Sequence, residues 1–157
     1  MPPDLGSSQT LKGNGTVAGN VAAPVGAIVA PGESIGALTV SGNATLGGTL
    51  DAEFDGSSNA ADLLAVSGVL DVSSASLSLT NLGAPSPIGT YVLATYASLN
   101  GTFTAITGMP SGYAIDYHYA GANSGNSIAL VVPEPATWML MLLGVLAICG
   151  WRRLRNR

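Results

Sequence analysis

Gly32-Glu33-Ser34-Ile35-Gly36 has the Gly-x-Ser-x-Gly spacing of a nucleophile elbow, and Asp71, Asp116 and the single histidine, His118, follow it in the chain. A serine nucleophile needs a histidine base oriented by a carboxylate, and the order Ser, Asp, His suits an α/β-hydrolase. The surroundings do not suit one. The elbow requires a strand, a sharp turn and then a helix, whereas Ala37-Leu38-Thr39-Val40 continues as strand. Gly32 and Gly36 therefore read as turn formers and Ser34 as a turn residue. Asp116 and His118, two apart on an expected strand, point to one side, but nothing in the pattern brings Ser34 to them. A transition metal on His118 would lack imidazole and thiolate partners, because the only cysteine is Cys149 in the apolar run near the C-terminus. Asp51, Glu53, Asp55 and Asp62 offer oxygen ligands for calcium, yet their spacing matches neither an EF-hand loop nor a calcium-binding β-roll repeat. They read as solvated charges on an outer face, which also deter edge pairing. Tyr91, Tyr96, Tyr113, Tyr117 and Tyr119 could form a carbohydrate-stacking patch, and the competing expectation is that they fill the core of a cap. No catalytic residue, metal or cofactor is assigned.

The elements that would position these groups are built from an unusual composition. Of 157 residues, 9% are charged and 47% hydrophobic, with 21 Gly and a mean hydropathy of +0.42. An ordinary soluble domain is about a quarter charged, so a typical cytosolic enzyme is not indicated. Charge is also segregated: Arg152, Arg153, Arg155 and Arg157 lie at the extreme end, and Lys12 is the only other base. One base against nine acids leaves the first 135 residues at −8 and the tail at +4, which together give the net −4. Such a body cannot neutralise clustered phosphates, so no nucleic-acid partner is expected. Met1 to Gly15 has neither a basic n-region nor an apolar h-region. A truncated start or an unusual export route is expected on that ground.

The body reads as β throughout. Leu46, Gly48, Leu50, Ala52 and Phe54 alternate with Gly47, Thr49, Asp51, Glu53 and Asp55, and shorter alternations recur at Leu77 and Leu79, at Ile115, Tyr117 and Tyr119, and at Ile128, Leu130 and Val132. Turn clusters separate them at 56–59, 84–87 and 121–126. Val17-Ala18-Gly19-Asn20 echoes Val40-Ser41-Gly42-Asn43, and Val40-Ser41-Gly42 echoes Val66-Ser67-Gly68. A repeat in the low twenties made of strand and turn suits a β-solenoid, while the pattern alone also admits a β-sandwich. The runs 30–42 (APGESIGALTVSG), 61–68 (ADLLAVSG), 89–93 (GTYVL) and 101–103 (GTF) resemble the terminal part of autotransporter-type passenger domains. That resemblance implies a right-handed parallel β-helix ending in a less regular cap. The membrane β-barrel translocator of that family is not present in this sequence.

The composition changes at Pro133-Glu134-Pro135, where the prolines withhold backbone donors and bias their neighbours away from helix. Residues 136–151 carry no charge; as a helix these roughly 16 residues would reach about 24 Å, enough for a thinned bilayer with snorkelling flanks. Trp138 and Trp151 stand near its ends, and the arginines behind it place the tail in the cytoplasm and the body across the membrane. Each arginine near an anionic leaflet adds on the order of 1 kcal/mol of attraction. Val132-Pro133-Glu134-Pro135-Ala136-Thr137-Trp138, the apolar run and Trp151-Arg152-Arg153 closely resemble the PEP-CTERM sorting signal of Gram-negative bacteria. The resemblance implies an exported protein recognised and processed by an exosortase, a membrane protease of the inner membrane, and associated with extracellular polysaccharide. Pro133, Glu134 and Pro135 match its recognition motif, and Arg152, Arg153 and Arg155 its stop-transfer charges.

The expected protein is therefore all-β: a right-handed parallel β-helix fragment over 1–130, followed at 131–157 by a sorting segment with a single C-terminal transmembrane helix. Its expected function is that of an exported, non-catalytic structural protein of the cell surface or extracellular matrix, held at the inner membrane during sorting. The alternative is a polysaccharide-binding or adhesive surface module. An enzyme is not expected.

Overall fold

The computed structural model describes residues 4–84, 89–121 and 126–133. Within them the chain winds repeatedly through three sheets in a fixed order. β1 (Thr10–Gly13), β2 (Gly15–Val17) and β3 (Val21–Ala23) make one circuit, and β4 (Ile28–Pro31), β5 (Ala37–Val40) and β6 (Ala44–Leu46) the next. β7 (Thr49–Asp55), β9 (Leu63–Val66) and β10 (Val69–Asp71) follow, with the short β8 (Ala60–Ala61) folded back on β7. The last circuit is β11 (Ser76–Asn81), β12 (Tyr91–Thr95) and β13 (Ser98–Asn100), after which come β14 (Ala105–Thr107), β15 (Ala114–Asp116) and β16 (Ser127–Val131). The sheets run β1-β4-β7-β11-β14, β3-β6-β10-β13 and β2-β5-β9-β12-β16-β15. All circuit strands pair in parallel; only β8, β15 and β16 pair antiparallel. The fold is a β-solenoid, and no helix occurs among the described residues.

Parallel register makes each interior position stack on its equivalent one strand spacing away, about 4.8 Å. Leu11, Val29, Leu50, Leu77 and Ile106 form one inward row, Val17, Val40 and Val66 a second, and Val21, Ala44, Leu70 and Leu99 a third. A strand of the second or third circuit buries only one to three side chains, so no single circuit can shield its own face. Burial comes from the neighbours, which is why short, weakly alternating strands suffice.

The corners explain the sequence echoes. Asn14 Oδ1 accepts the Ala37 N–H at 2.8 Å, Asn20 Oδ1 the Asn43 N–H at 2.9 Å and Asn43 Oδ1 the Val69 N–H at 2.9 Å, each reaching the next circuit. Glycine fills the position stacked on the amide. A Cβ on Gly42 would lie 2.3 Å from Asn20 Oδ1, and one on Gly68 would lie 2.2 Å from Asn43 Oδ1. The Gly-Asn echo is thus a hydrogen-bonded corner whose glycine admits the preceding asparagine. Gly68→Ala is expected to lower unfolding free energy by about 1–2 kcal/mol by displacing the Asn43 amide, measurable in a urea titration.

Three expected local features differ from those observed. The alternation from Leu46 to Phe54 is two strands in different sheets: Gly47 and Gly48 turn the corner between β6 and β7, and a Cβ on Gly48 would meet the Ala27 carbonyl oxygen at 2.0 Å. Tyr117, His118 and Tyr119 lie beyond β15, so His118 does not share a strand with Asp116; its N–H instead donates to Asp116 Oδ1 at 2.8 Å. Ala129 is as buried as Ile128 and Leu130, so both faces of β16 are covered there, while its two edges pair with β12 and β15.

Candidate functional site

The Gly-x-Ser-x-Gly segment joins β4 to β5 and is shaped around a carboxylate. Asp62 is 1% exposed, which corrects its expected place on a solvated face. Its Oδ1 accepts the Gly36 N–H at 2.8 Å and its Oδ2 the Glu53 N–H at 2.9 Å, tying the loop before β5 to the edge of β7. Gly32 adopts φ +83, and a Cβ there would stand 2.1 Å from the Ser34 carbonyl oxygen and 2.8 Å from Asp62 Oδ1. Both glycines therefore serve the turn. Glu33 projects outward and pairs loosely with Lys12 at 3.8 Å. His118 lies beyond β15 with its Nδ1 3.1 Å from Tyr96 Oη, just past β12, whereas Ser34 precedes β5, two strands away from β12 in the shared sheet. Ser34 and His118 are not brought together.

The remaining acids are also engaged locally. Asp55 accepts the Ser57 N–H and hydroxyl at 2.9 and 2.6 Å and the Ser58 hydroxyl at 2.8 Å. Asp71 accepts the Ser73 N–H at 3.0 Å, the Ser73 hydroxyl at 2.7 Å and the Asn100 amide at 2.7 Å. Donation from the Ser57 and Ser73 hydroxyls holds these two carboxyls below the ordinary range. Burial pushes Asp62 the other way, with the nearby Glu53 and Asp51 charges adding to the rise and the two backbone donors opposing it. Asp51 and Glu53 face outward on β7, so the four acids do not converge; among the described residues no group of three or more His, Cys, Asp or Glu could hold a metal.

The tyrosines fill the cap. Tyr91 is 1% and Tyr96 5% exposed. Phe54 packs on Tyr91 with ring centroids 5.1 Å apart, Tyr91 on Tyr113 at 6.1 Å and Phe103 on Tyr117 at 6.0 Å. Tyr96 donates its hydroxyl to the Tyr117 carbonyl and lies 3.1 Å from His118 Nδ1, while Tyr117 Oη accepts the Phe103 N–H at 3.1 Å. Burial raises the Tyr96 and Tyr113 hydroxyls above the usual tyrosine range. Tyr91 and Tyr96 take the core-filling arrangement, with Tyr113 and Tyr117 half-buried against the same core.

What the cap does present is the chain's exit. Ser127, Ile128, Ala129 and Leu130 are all 0% exposed or nearly so in the middle of the sheet. Val131 closes the ladder against Ala114, Val132 is half-buried, and Pro133 is exposed. Glu134, Pro135, Arg152, Arg153 and Arg155, with the expected membrane helix, lie outside the described residues. Among the described residues no helix is long and apolar enough to cross a membrane.

Residues 131–153 match the PEP-CTERM protein-sorting motif. No curated protein and no solved structure matches the chain. A PEP-CTERM signal implies a protein recognised by an exosortase in the membrane and exported by membrane-associated sorting to the cell surface. Sequence reasoning found this segment but missed the two devices that hold the body together. The asparagine corners were legible as the Gly-Asn echo, whereas nothing local distinguishes Asp62 from its solvated neighbours.

Proposed function

We propose that the chain is a non-catalytic structural protein of the cell surface or extracellular matrix, whose solenoid body is the exported part and whose C-terminal segment directs its sorting. The observation that carries the reading is the position of the motif: the match begins at Val131, the last residue of the strand that closes the solenoid. A rigid rod is thus joined to its sorting signal with almost no tether. In this reading an exosortase-type membrane protease recognises Pro133, Glu134 and Pro135. Arg152, Arg153 and Arg155 hold the tail on the cytoplasmic side of the inner membrane while the body stands in the periplasm. The structural role is supported by how the acids are used, since Asp55, Asp62 and Asp71 give their oxygens to backbone, hydroxyl and amide donors of the solenoid itself.

The test is replacement of Pro133, Glu134 and Pro135 together by alanine in the full chain, expressed beside its exosortase. Full-mass precursor is expected to accumulate in the inner-membrane fraction and the surface form to fall at least tenfold; unchanged surface delivery would refute the reading. A second reading, polysaccharide binding, is favoured by a groove of about 530 Å³ bordered by Thr45, Asp71, Ser73 and Ser74 with Leu5 and the exposed Val25. Pull-down with the host's own polymer separates the two.

A further inference from the structure

The corner leading from the β3-β6-β10-β13 sheet to the β1-β4-β7-β11-β14 sheet changes length from circuit to circuit, and the change cuts a groove. β3 ends at Ala23 and β4 begins at Ile28, while β10 ends at Asp71 and β11 begins at Ser76, so these two corners run through 24–27 and 72–75. The corner stacked between them, from β6 to β7, is Gly47 and Gly48 alone. It is shorter and carries no side chain, so the surface drops there between Pro24 and Val25 on one side and Ser73 and Ser74 on the other. The groove holds about 530 Å³, a volume typical of small-ligand sites. Its floor is a row of paired positions: Asp4 bridges to Ala22, Ala22 pairs with Thr45, and Thr45 with Asp71. Two short side chains thus lie in the middle and a carboxyl-bearing residue stands at each end, three strand spacings or about 14 Å apart.

We propose that this groove binds a linear aliphatic polyamine, with its alkylene chain over Ala22 and Thr45 and a terminal ammonium at each of Asp4 and Asp71. The proposal goes beyond both readings above and rests on charge complementarity. Among the described residues none that lines the groove is basic, and Lys12 pairs with Glu33 elsewhere. Asp71 accepts the Ser73 N–H, the Ser73 hydroxyl and the Asn100 amide, which favour its ionised form and leave roughly one of a carboxylate's four acceptor positions for a ligand. Between the acidic ends the sides are apolar, from Leu5, Pro24 and Val25, the last 75% exposed. A chain with cationic ends and an apolar middle matches that order. An acidic polymer meets like charge at both ends, and a neutral one gains nothing from either carboxylate. The net −8 of the first 135 residues draws cations of any kind toward the body, but it does not choose among them. Length does: spermine reaches both carboxylates at once, whereas putrescine reaches one.

The experiment is calorimetric titration of the full chain, held in a nonionic detergent, with spermine and with putrescine. Spermine is expected to bind in equimolar amount and about two- to fivefold more tightly than putrescine, the worth of one further exposed ion pair. Asp4→Asn should weaken spermine by a similar factor, while Glu33→Gln, which removes the same charge outside the groove, should leave it unchanged. Gly47→Leu fills the notch at constant charge and should abolish binding; a Cβ there would stand 3.4 Å from Val25 N, an ordinary contact. If that variant does not fold, Asp4→Asn against Glu33→Gln decides alone. Absence of spermine binding overturns the proposal, and so does binding that a folded Gly47→Leu leaves intact, since that is diffuse attraction to the acidic body. A neutral oligosaccharide of the host's polymer that binds in the groove where spermine does not overturns it in favour of the second reading.

Discussion

Asp62→Ala is expected to lower unfolding free energy by about 2–5 kcal/mol, because it leaves the Gly36 and Glu53 N–H groups without an acceptor in a half-buried corner. The carboxylate does what no backbone group can do at that point. β8 folds back antiparallel on β7, and Asp62 follows it directly, between the loop before β5 and Glu53 of β7. Asp62 spans the gap with one oxygen to each side. Asn in its place retains one acceptor and turns an NH₂ group toward the other donor, so Asp62→Asn is also expected to be destabilised, though less. The sign of the pH dependence follows from burial. Because the folded state raises the Asp62 carboxyl, its contribution is largest below the unfolded carboxylate range and declines as pH rises to the folded value. The deficit of Asp62→Ala should therefore grow on acidification from neutral pH. Asp55 and Asp71, whose carboxyls are lowered, contribute in the opposite sense: their stabilisation is present above the unfolded carboxylate range and is lost as pH falls through the folded values. Denaturant titrations of the wild type and Asp62→Ala between pH 3 and neutrality, roughly the carboxylate range, check both. A mutant within 0.5 kcal/mol of wild type, about the noise of a surface change, would remove Asp62 from this role.

Phe54→Ala carries the second large effect, about 3–5 kcal/mol, through the cavity left beneath the cap. Phe54 is 0% exposed at the end of β7 and supports Tyr91, which in turn supports Tyr113. The loss of the ring contact itself adds about 0.5–1.5 kcal/mol. Since this aromatic stack joins the last regular circuits to the antiparallel β16 and β15, the damage should be concentrated in the cap. Amide exchange would reveal it as loss of protection at Ile128 and Leu130 ahead of Leu50. Uniform loss across all circuits would mean that the cap and the rod unfold as one unit and that the stack is no separate support. Loosening of the cap would also make β16 available to proteases, so the same variant should be clipped upstream of Pro133 where the wild type is not.

Particular residues show where reading the sequence succeeded. Leu50, Ala52 and Phe54, and Leu77 and Leu79, alternate because a strand buries every second side chain, and all five are buried. The echoes at Gly19-Asn20, Gly42-Asn43 and Gly68 mark a unit that returns to the same corner. The solenoid was legible in that return, although the pattern alone left a sandwich open. The alternation across Leu46 to Phe54 misled for a definite reason: glycine has no side chain to contradict a period of two, so a corner at Gly47 and Gly48 passes as strand. His118 misled similarly, since alternation with Tyr117 and Tyr119 looks the same in a strand as in the turn observed.

The amino-acid order alone determined what depends on neighbours in the chain: strand-forming alternation, the segregation of −8 from +4, the prolines that stop pairing, and the sorting motif behind them. These are local because a protease, a bilayer and a pleat each read a short contiguous stretch. Tertiary structure decided which carboxylate is buried, which circuit each asparagine reaches, and how near the closing strand lies to the exposed Pro133. Those facts depend on residues 23 or more positions apart coming within 3 Å of each other. That proximity is created by the winding of the chain and is carried by no single segment of it.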